Sequence, residues 1–302
     1  MQYSSVCGLV ELPYCFTGRC KIREIVWIAG MEYRKWFSLK KMLILLFSIL
    51  FLGEYIFSDM ARVAEETGLS INILEPMDLV LSFQFYMLVI PLIFIVLLSG
   101  FPDKSGGNIF VMMRATRRIW LAGQFLFGLL SGVTCLGSFF AASFLWIGRG
   151  AVWQNQWSGF MTDIYERFSE IYGQNDRLFL ESGTMSHGTP VRVMMMGVLL
   201  MLAYLLVMLQ ILCLFRLMER RKLGLLIAMG ITVLGATAVS YIKSLKWIFP
   251  LTHAIFGEHF DKFYAQPLVP LWISALYFTV LNVGLLFANL YLVKRCQIAD
   301  EV

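Results

Sequence analysis

A few side chains in this sequence have the type and spacing that chemistry would need: three histidines, two adjacent glutamates, a glutamate inside an apolar block and a cluster of arginines. His187, His253 and His259 all fall on connectors, and no His-Glu-x-x-His zinc helix occurs. Glu65-Glu66 would need burial and an arginine on the same helix to work as paired acid and base. Here Thr67-Gly68-Leu69-Ser70 follows them on a connector. No Gly-x-x-x-x-Gly-Lys-[Ser/Thr] phosphate loop exists, so the chain itself has no P-loop for ATP. Glu54 lies within an apolar block, where an ionisable group is a functional candidate by default. Its place in the last turn of that block lets it reach headgroup water, which weakens the case. Arg114, Arg117 and Arg118 stand at i, i+3 and i+4, one basic face of a helix, with Phe110 and Met113 supplying apolar surface. Such a helix docks on lipid or in the groove of a partner.

The elements that must position these groups are apolar blocks. Of 302 residues 59% are hydrophobic and 15% charged, too apolar for a soluble globule of this size. Six blocks approach the ~20 apolar residues that a bilayer crossing needs: 42–57, 79–98, 119–147, 193–214, 223–242 and 271–293. Backbone groups in lipid must bond within their own segment, so each block is expected to be a helix. The fold class is an all-α polytopic membrane protein with six spans. Tilt, or a bend near Gly132 and Gly137, would accommodate the long third block. Gly128 and Gly132 form a small-xxx-small pair suited to close helix approach. Pro91 is the main interruption within a span. Residues 42–293 form the membrane domain, flanked by an N-terminal segment, 1–41, and a short tail, 294–302.

Charge orients the spans. Arg34, Lys35, Lys40, Lys41, Lys104, Arg114, Arg117, Arg118, Arg216, Arg220, Arg221, Lys222, Lys294 and Arg295 fall on alternate connectors, 14 basic residues against 8 on the others. The connector 59–78 carries five acids and one base. Basic residues concentrate on the cytoplasmic side, which places both termini there. The net charge of +5 follows from this sorting and gives no sign of nucleic-acid binding. Cys7, Cys15, Cys20 and Cys296 then face the cytoplasm, and Cys135 and Cys213 lie within spans. No structural disulfide is expected.

Residues 1–30 read equally as an upstream extension without function or as a real N-terminal segment. Residues 33–41 mix aromatic and basic side chains, suiting either a short helix on the inner leaflet or an ordinary basic flank. In the outer connector 149–190, Trp157, Phe160, Ile164, Phe168 and Ile171 recur at three- and four-residue spacing, which predicts one amphipathic helix that rests on the outer leaflet, caps the bundle or, on the sharper reading, forms a substrate-facing lid. The connector 243–270 is apolar but broken by Pro250, Gly257, Pro267 and Pro270, as expected of short helices dipping into the outer leaflet.

Pro102 ends the second block, Asn108 is a reasonable N-cap, and Arg114-Ala-Thr-Arg-Arg-Ile-Trp-Leu-Ala-Gly-Gln leads into the third. This run resembles the R-x-x-S-R-x-x-W-x-x-G-K entry to span three in membrane subunits of ATP-binding-cassette transporters of the type-2 permease superfamily. Arg117, Arg118, Trp120 and Gly123 match, Thr116 replaces the small polar residue and Gln124 the lysine. The resemblance implies a coupling helix near 103–118 that docks on a separate ATPase subunit, with Phe110, Met113, Arg114, Arg117, Arg118 and Trp120 at the dock. It further implies a second permease chain, identical or homologous, a bacterial cytoplasmic membrane, and an exporter whose ATP and Mg are bound by the partner ATPase. No cofactor, metal or catalytic activity is expected on this chain. The cargo would be amphipathic: a peptide, drug or lipid-like molecule. The rival reading is a non-transporting membrane sensor, immunity factor or scaffold with the same topology.

Overall fold

The computed structural model describes residues 18–102, 115–148, 151–242, 245–261 and 266–295. Nearly all secondary structure is helical. Helix α1 is Gly18–Trp36; α2, Leu39–Leu52, runs through a π-helical turn, Gly53–Phe57, into α3, Ser58–Thr67. Helix α4, Glu75–Ser82, is followed after a break by α5, Gln84–Leu97. The third span is α6, Arg117–Ile147, and the far connector carries α7, Gly159–Thr162, α8, Ile164–Arg167, α9, Ser169–Gln174, and α10, Ser182–Ser186. Helices α11, Pro190–Leu217, and α12, Arg221–Tyr241, come next, then the short α13, Pro250–Ala254, and α14, Leu271–Arg295. Among the described residues the one sheet is a parallel pair, β1, Ile71–Asn72, with β2, Ala151–Val152.

Among the described residues, five helical stretches are long and apolar enough to cross a membrane, and a sixth follows if α4 and α5 count as one span bent by 84°. The chain is therefore all-α, with the apolar helices of a multi-pass membrane protein. The bend falls at Phe83, whose backbone is extended. The sequence reading made 79–98 a single helix, because hydropathy sees apolar content and not backbone direction. Alone, α5 has 14 residues, roughly 21 Å at 1.5 Å per residue, short of a ~30 Å hydrocarbon core.

The third span runs as one helix of 31 residues. Gly128 and Gly132 bring it against α11: a Cβ at Gly128 would collide with Leu209, and one at Gly132 would lie 3.3 Å from Leu202. The small-xxx-small pair serves packing inside this chain. At the other end of α6, Trp146 covers Gly53, where a Cβ would come within 2.7 Å of the indole.

Residues 18–36 form a helix lying along α6. Ile28 fills the space over Gly123, Trp36 meets the Phe127 ring edge-on at 6.5 Å, and Tyr33 shares a 2.8 Å hydrogen bond with Thr134. Ile28, Ala29 and Trp36 are buried, while Ile22, Val26 and Trp27 are exposed.

The far connector departs from the expected single amphipathic helix. Its periodic stretch is divided into α7, α8 and α9, with breaks at Asp163 and Phe168. Phe160 and Ile164 are buried in the core of the chain. A helix pulled onto a curved protein surface breaks where its apolar residues follow the surface better than a straight axis would. The segment 245–261 holds the expected short helices, yet Leu251, Ala254, Ile255 and Phe256 are buried in protein.

Candidate functional site

Helix ends gather at two poles. At one, Arg117 donates to the carbonyls of Val293 (3.2 Å) and Lys294, tying the start of α6 to the end of α14. Arg216 donates to the Pro102 carbonyl at 3.3 Å and Arg221 to that of Ser99 at 2.7 Å. The last carbonyls of a helix lack intrahelical donors and carry partial negative charge, so the Arg117 guanidinium answers both needs at α14, while Arg216 and Arg221 hold the turn that follows α5. Three arginines thus join the ends of α5, α11 and α14 to the starts of α6 and α12.

The sequence-derived docking residues divide around this pole. Phe110, Met113 and Arg114 lie outside the described residues, as does most of the expected coupling helix. Arg117 is held by α14, Arg118 is exposed, and Trp120 is buried against the bundle with no hydrogen-bond partner for Nε1 among the described residues. Trp120 therefore supports the entry to α6 from inside and offers no exposed docking surface. Glu54 is exposed, in the π-helical turn beside Trp146.

Between the poles, a polar seam joins α11 and α14. Gln210 Nε2 donates to Asn282 Oδ1 at 2.6 Å, Asn282 Nδ2 to the Phe278 and Ala203 carbonyls at 2.9 and 3.3 Å, and Asn289 Nδ2 to the Gln210 carbonyl at 3.1 Å. Gln210 Oε1 and Asn289 Oδ1 remain buried acceptors without a partner among the described residues. Beside the seam, a lateral groove of about 560 Å³ opens between the same helices, lined by Met196, Leu199, Trp272, Phe278 and Asn282 among others. Its lining is almost wholly apolar, with Thr279 and Asn282 as its polar side chains. The seam was legible in part, since Asn282 and Asn289 stand one heptad apart in an otherwise apolar block. Only the fold shows that Gln210 meets them.

At the opposite pole, polar groups are buried side chain to side chain. Glu75 accepts from the Ser158 amide (2.7 Å), the Ser158 hydroxyl (2.7 Å) and the Asn72 amide (2.9 Å). Asn72 in turn donates to the Gln154 carbonyl and, at 2.9 Å, to that of Gln156. One carboxylate and one amide so clasp the far connector onto the start of α4, beside the β1–β2 pair. One turn on, Asp78 is fully buried, and neither oxygen has a hydrogen-bond partner among the described residues. By sequence both acids belong to an acidic connector, and nothing local signals that Ser158, 83 positions from Glu75, will meet it.

In the segment before α14, Ser274 Oγ lies 2.7 Å from both His253 Nδ1 and His259 Nε2. Burial is the main force holding both imidazoles below the usual histidine range, His259 at about 4. Lys246, ion-paired with Glu258 at 2.6 Å, stands beside them. Among the described residues no group of three or more His, Cys, Asp or Glu forms a metal cage.

No protein-family model, curated protein or solved structure matches this chain.

Proposed function

We propose that this chain is the membrane subunit of an ATP-driven transporter of the type-2 ATP-binding-cassette kind, with both termini in the cytoplasm. It exports an amphipathic cargo, with energy from a separate ATPase subunit. The observation that carries this reading is the arginine-tied pole. The connector that spans 103–118 begins beside Ser99 and Pro102 and ends at Arg117, and each anchor is bonded to another helix end. A force applied to that connector therefore reaches α5, α6, α11, α12 and α14 together. The sorting of basic residues toward this pole and the lateral groove with its amide support the same reading.

In this scheme two permease chains and two ATPase subunits form the working unit. ATP-driven closure of the ATPases presses on Phe110, Met113, Arg114 and Arg118, and the helices rock about the seam. Cargo enters the groove sideways from the bilayer, its apolar part against Phe278 and its donor group at the seam. The test is co-expression with the ATPase encoded beside it, followed by co-purification and transport-coupled ATPase activity in proteoliposomes. Replacing Arg114 and Arg118 by glutamate should abolish co-purification while the chain remains folded. Unchanged coupled ATPase activity, or ATP hydrolysis by the purified chain alone, would refute the proposal.

A further inference from the structure

We propose that His253, Ser274 and His259 form a binding site for one shared proton, taken up on acidification, which completes a hydrogen-bond chain between the 245–261 segment and the start of the last span. The hydrogens at the three side chains can be counted. His253 Nε2 lies 2.8 Å from the Trp247 carbonyl, and His259 Nδ1 lies 3.0 Å from that of Ile255. A carbonyl only accepts, so each of these nitrogens carries the ring proton of a neutral imidazole. His253 Nδ1 and His259 Nε2 are then both acceptors, and both face Ser274 Oγ at 2.7 Å. The hydroxyl has a single hydrogen. It satisfies one imidazole and turns an oxygen lone pair toward the lone pair of the other.

One added proton removes the conflict. The charged imidazole donates to Ser274 Oγ, and the hydroxyl donates to the second imidazole, giving an unbroken chain from the Trp247 carbonyl to the Ile255 carbonyl. A second proton would put two donors on the hydroxyl and strand its own hydrogen, so the site holds one. The surroundings suit a single positive charge. The Trp247 ring lies 5.2 Å from His253 and 5.4 Å from His259, and the Tyr277 ring stacks on His253 at 4.1 Å, all within range of cation–π attraction. The opposing groups are few. Lys246 repels the charge but is compensated by Glu258. Helix α11 brings only Tyr204 within ring contact of Phe278, and His187 stacks on Phe260. Helix α4 brings Ser82 against Gly257, with Asp78 and Glu75 about one and two turns further along it. Burial resists the proton, and the lone-pair conflict favours it.

The cluster also sits over the groove. Phe278, one turn beyond Ser274, lines the groove and meets His253 edge-on at 6.4 Å. Proton uptake therefore changes the hydrogen bonding directly behind the rim of the groove, on the pole away from Arg117. The proposal rests on hydrogen-bond geometry and stands whether or not the chain transports.

The experiment is ¹⁵N-histidine NMR of the full chain in nanodiscs, titrated from pH 8 to pH 4, with His187 as internal reference. The signals of His253 and His259 should move together in one step that totals one proton. His253→Gln or His259→Gln removes the conflict, and the midpoint of the remaining imidazole should fall by about one to two pH units. Ser274→Ala, the mildest change, should uncouple the two titrations and keeps the test open if a glutamine variant fails to fold. Independent titration with the same midpoint in wild type and single variants would overturn the proposal. So would a stoichiometric zinc or copper ion found between the imidazoles.

Discussion

The two poles of the bundle handle polarity in opposite ways. At the basic pole, arginines reach backbone carbonyls at helix ends, from positions that are half-exposed or exposed. At the far pole, Glu75, Asn72, Ser158, Ser274 and two histidines are buried and meet one another side chain to side chain or through neighbouring amides, with no water to replace a lost partner. An exposed guanidinium on a carbonyl has water as a ready alternative, so its loss is mild. A buried carboxylate with three donors has none, so losing it strands every donor. The basic pole is therefore the more easily displaced of the two, and the far pole the more firmly held.

The largest expected effect tests the holding end. Glu75→Ala leaves two amides and a hydroxyl buried without their acceptor, and should destabilise the chain by about 3–5 kcal/mol in reversible denaturant unfolding in mixed micelles. Glu75→Gln should recover part of this, and a loss below about 1 kcal/mol for the alanine variant would break the comparison.

Acid should act on the same end. Burial depresses the folded-state values of His253 and His259 below 6.5, so the unfolded chain binds protons that the fold refuses. Stability from these residues is complete above pH 6.5 and is lost progressively as pH falls below it. One refused proton gives a slope of about 1.4 kcal/mol per pH unit, and two refused protons give twice that. The difference between wild type and a His253→Gln, His259→Gln double variant isolates this slope, and a flat difference would remove the histidines from the stability of the far pole.

Asp78 sharpens the contrast within a single helix. Its carboxyl has no partner among the described residues, so Asp78→Leu should stabilise by about 1–3 kcal/mol where Glu75→Leu destabilises. A transport defect in a stabilised Asp78→Leu chain would mark the acid as functional. The smallest effect belongs to the basic pole. Arg221→Gln removes one exposed bond to the Ser99 carbonyl and should cost about 1 kcal/mol or less, read by the same unfolding measurement. A loss above about 2 kcal/mol would mean that this pole, too, is built to hold.

Much of the architecture is legible in composition and order. The apolar blocks at 119–147, 193–214, 223–242 and 271–293 correspond to α6, α11, α12 and α14 within a few residues at each end, because membrane-length helices are dictated by local hydropathy and by backbone satisfaction. The alternation of basic and acidic connectors is equally local. Helix direction and burial are not local. The break at Phe83, the division of 159–174 into three short helices and the packing of α1 along α6 depend on surfaces supplied by distant segments.

The sequence by itself determined that this is an all-α chain of apolar helices with basic residues sorted to alternate connectors, because hydropathy and charge are properties of each residue. Only the tertiary structure decided which polar groups meet. Glu75 finds Ser158, Gln210 finds Asn282 and Ser274 finds two histidines through contacts 83, 72, 21 and 15 positions apart, and periodicity along one helix carries no information about the helix that will face it.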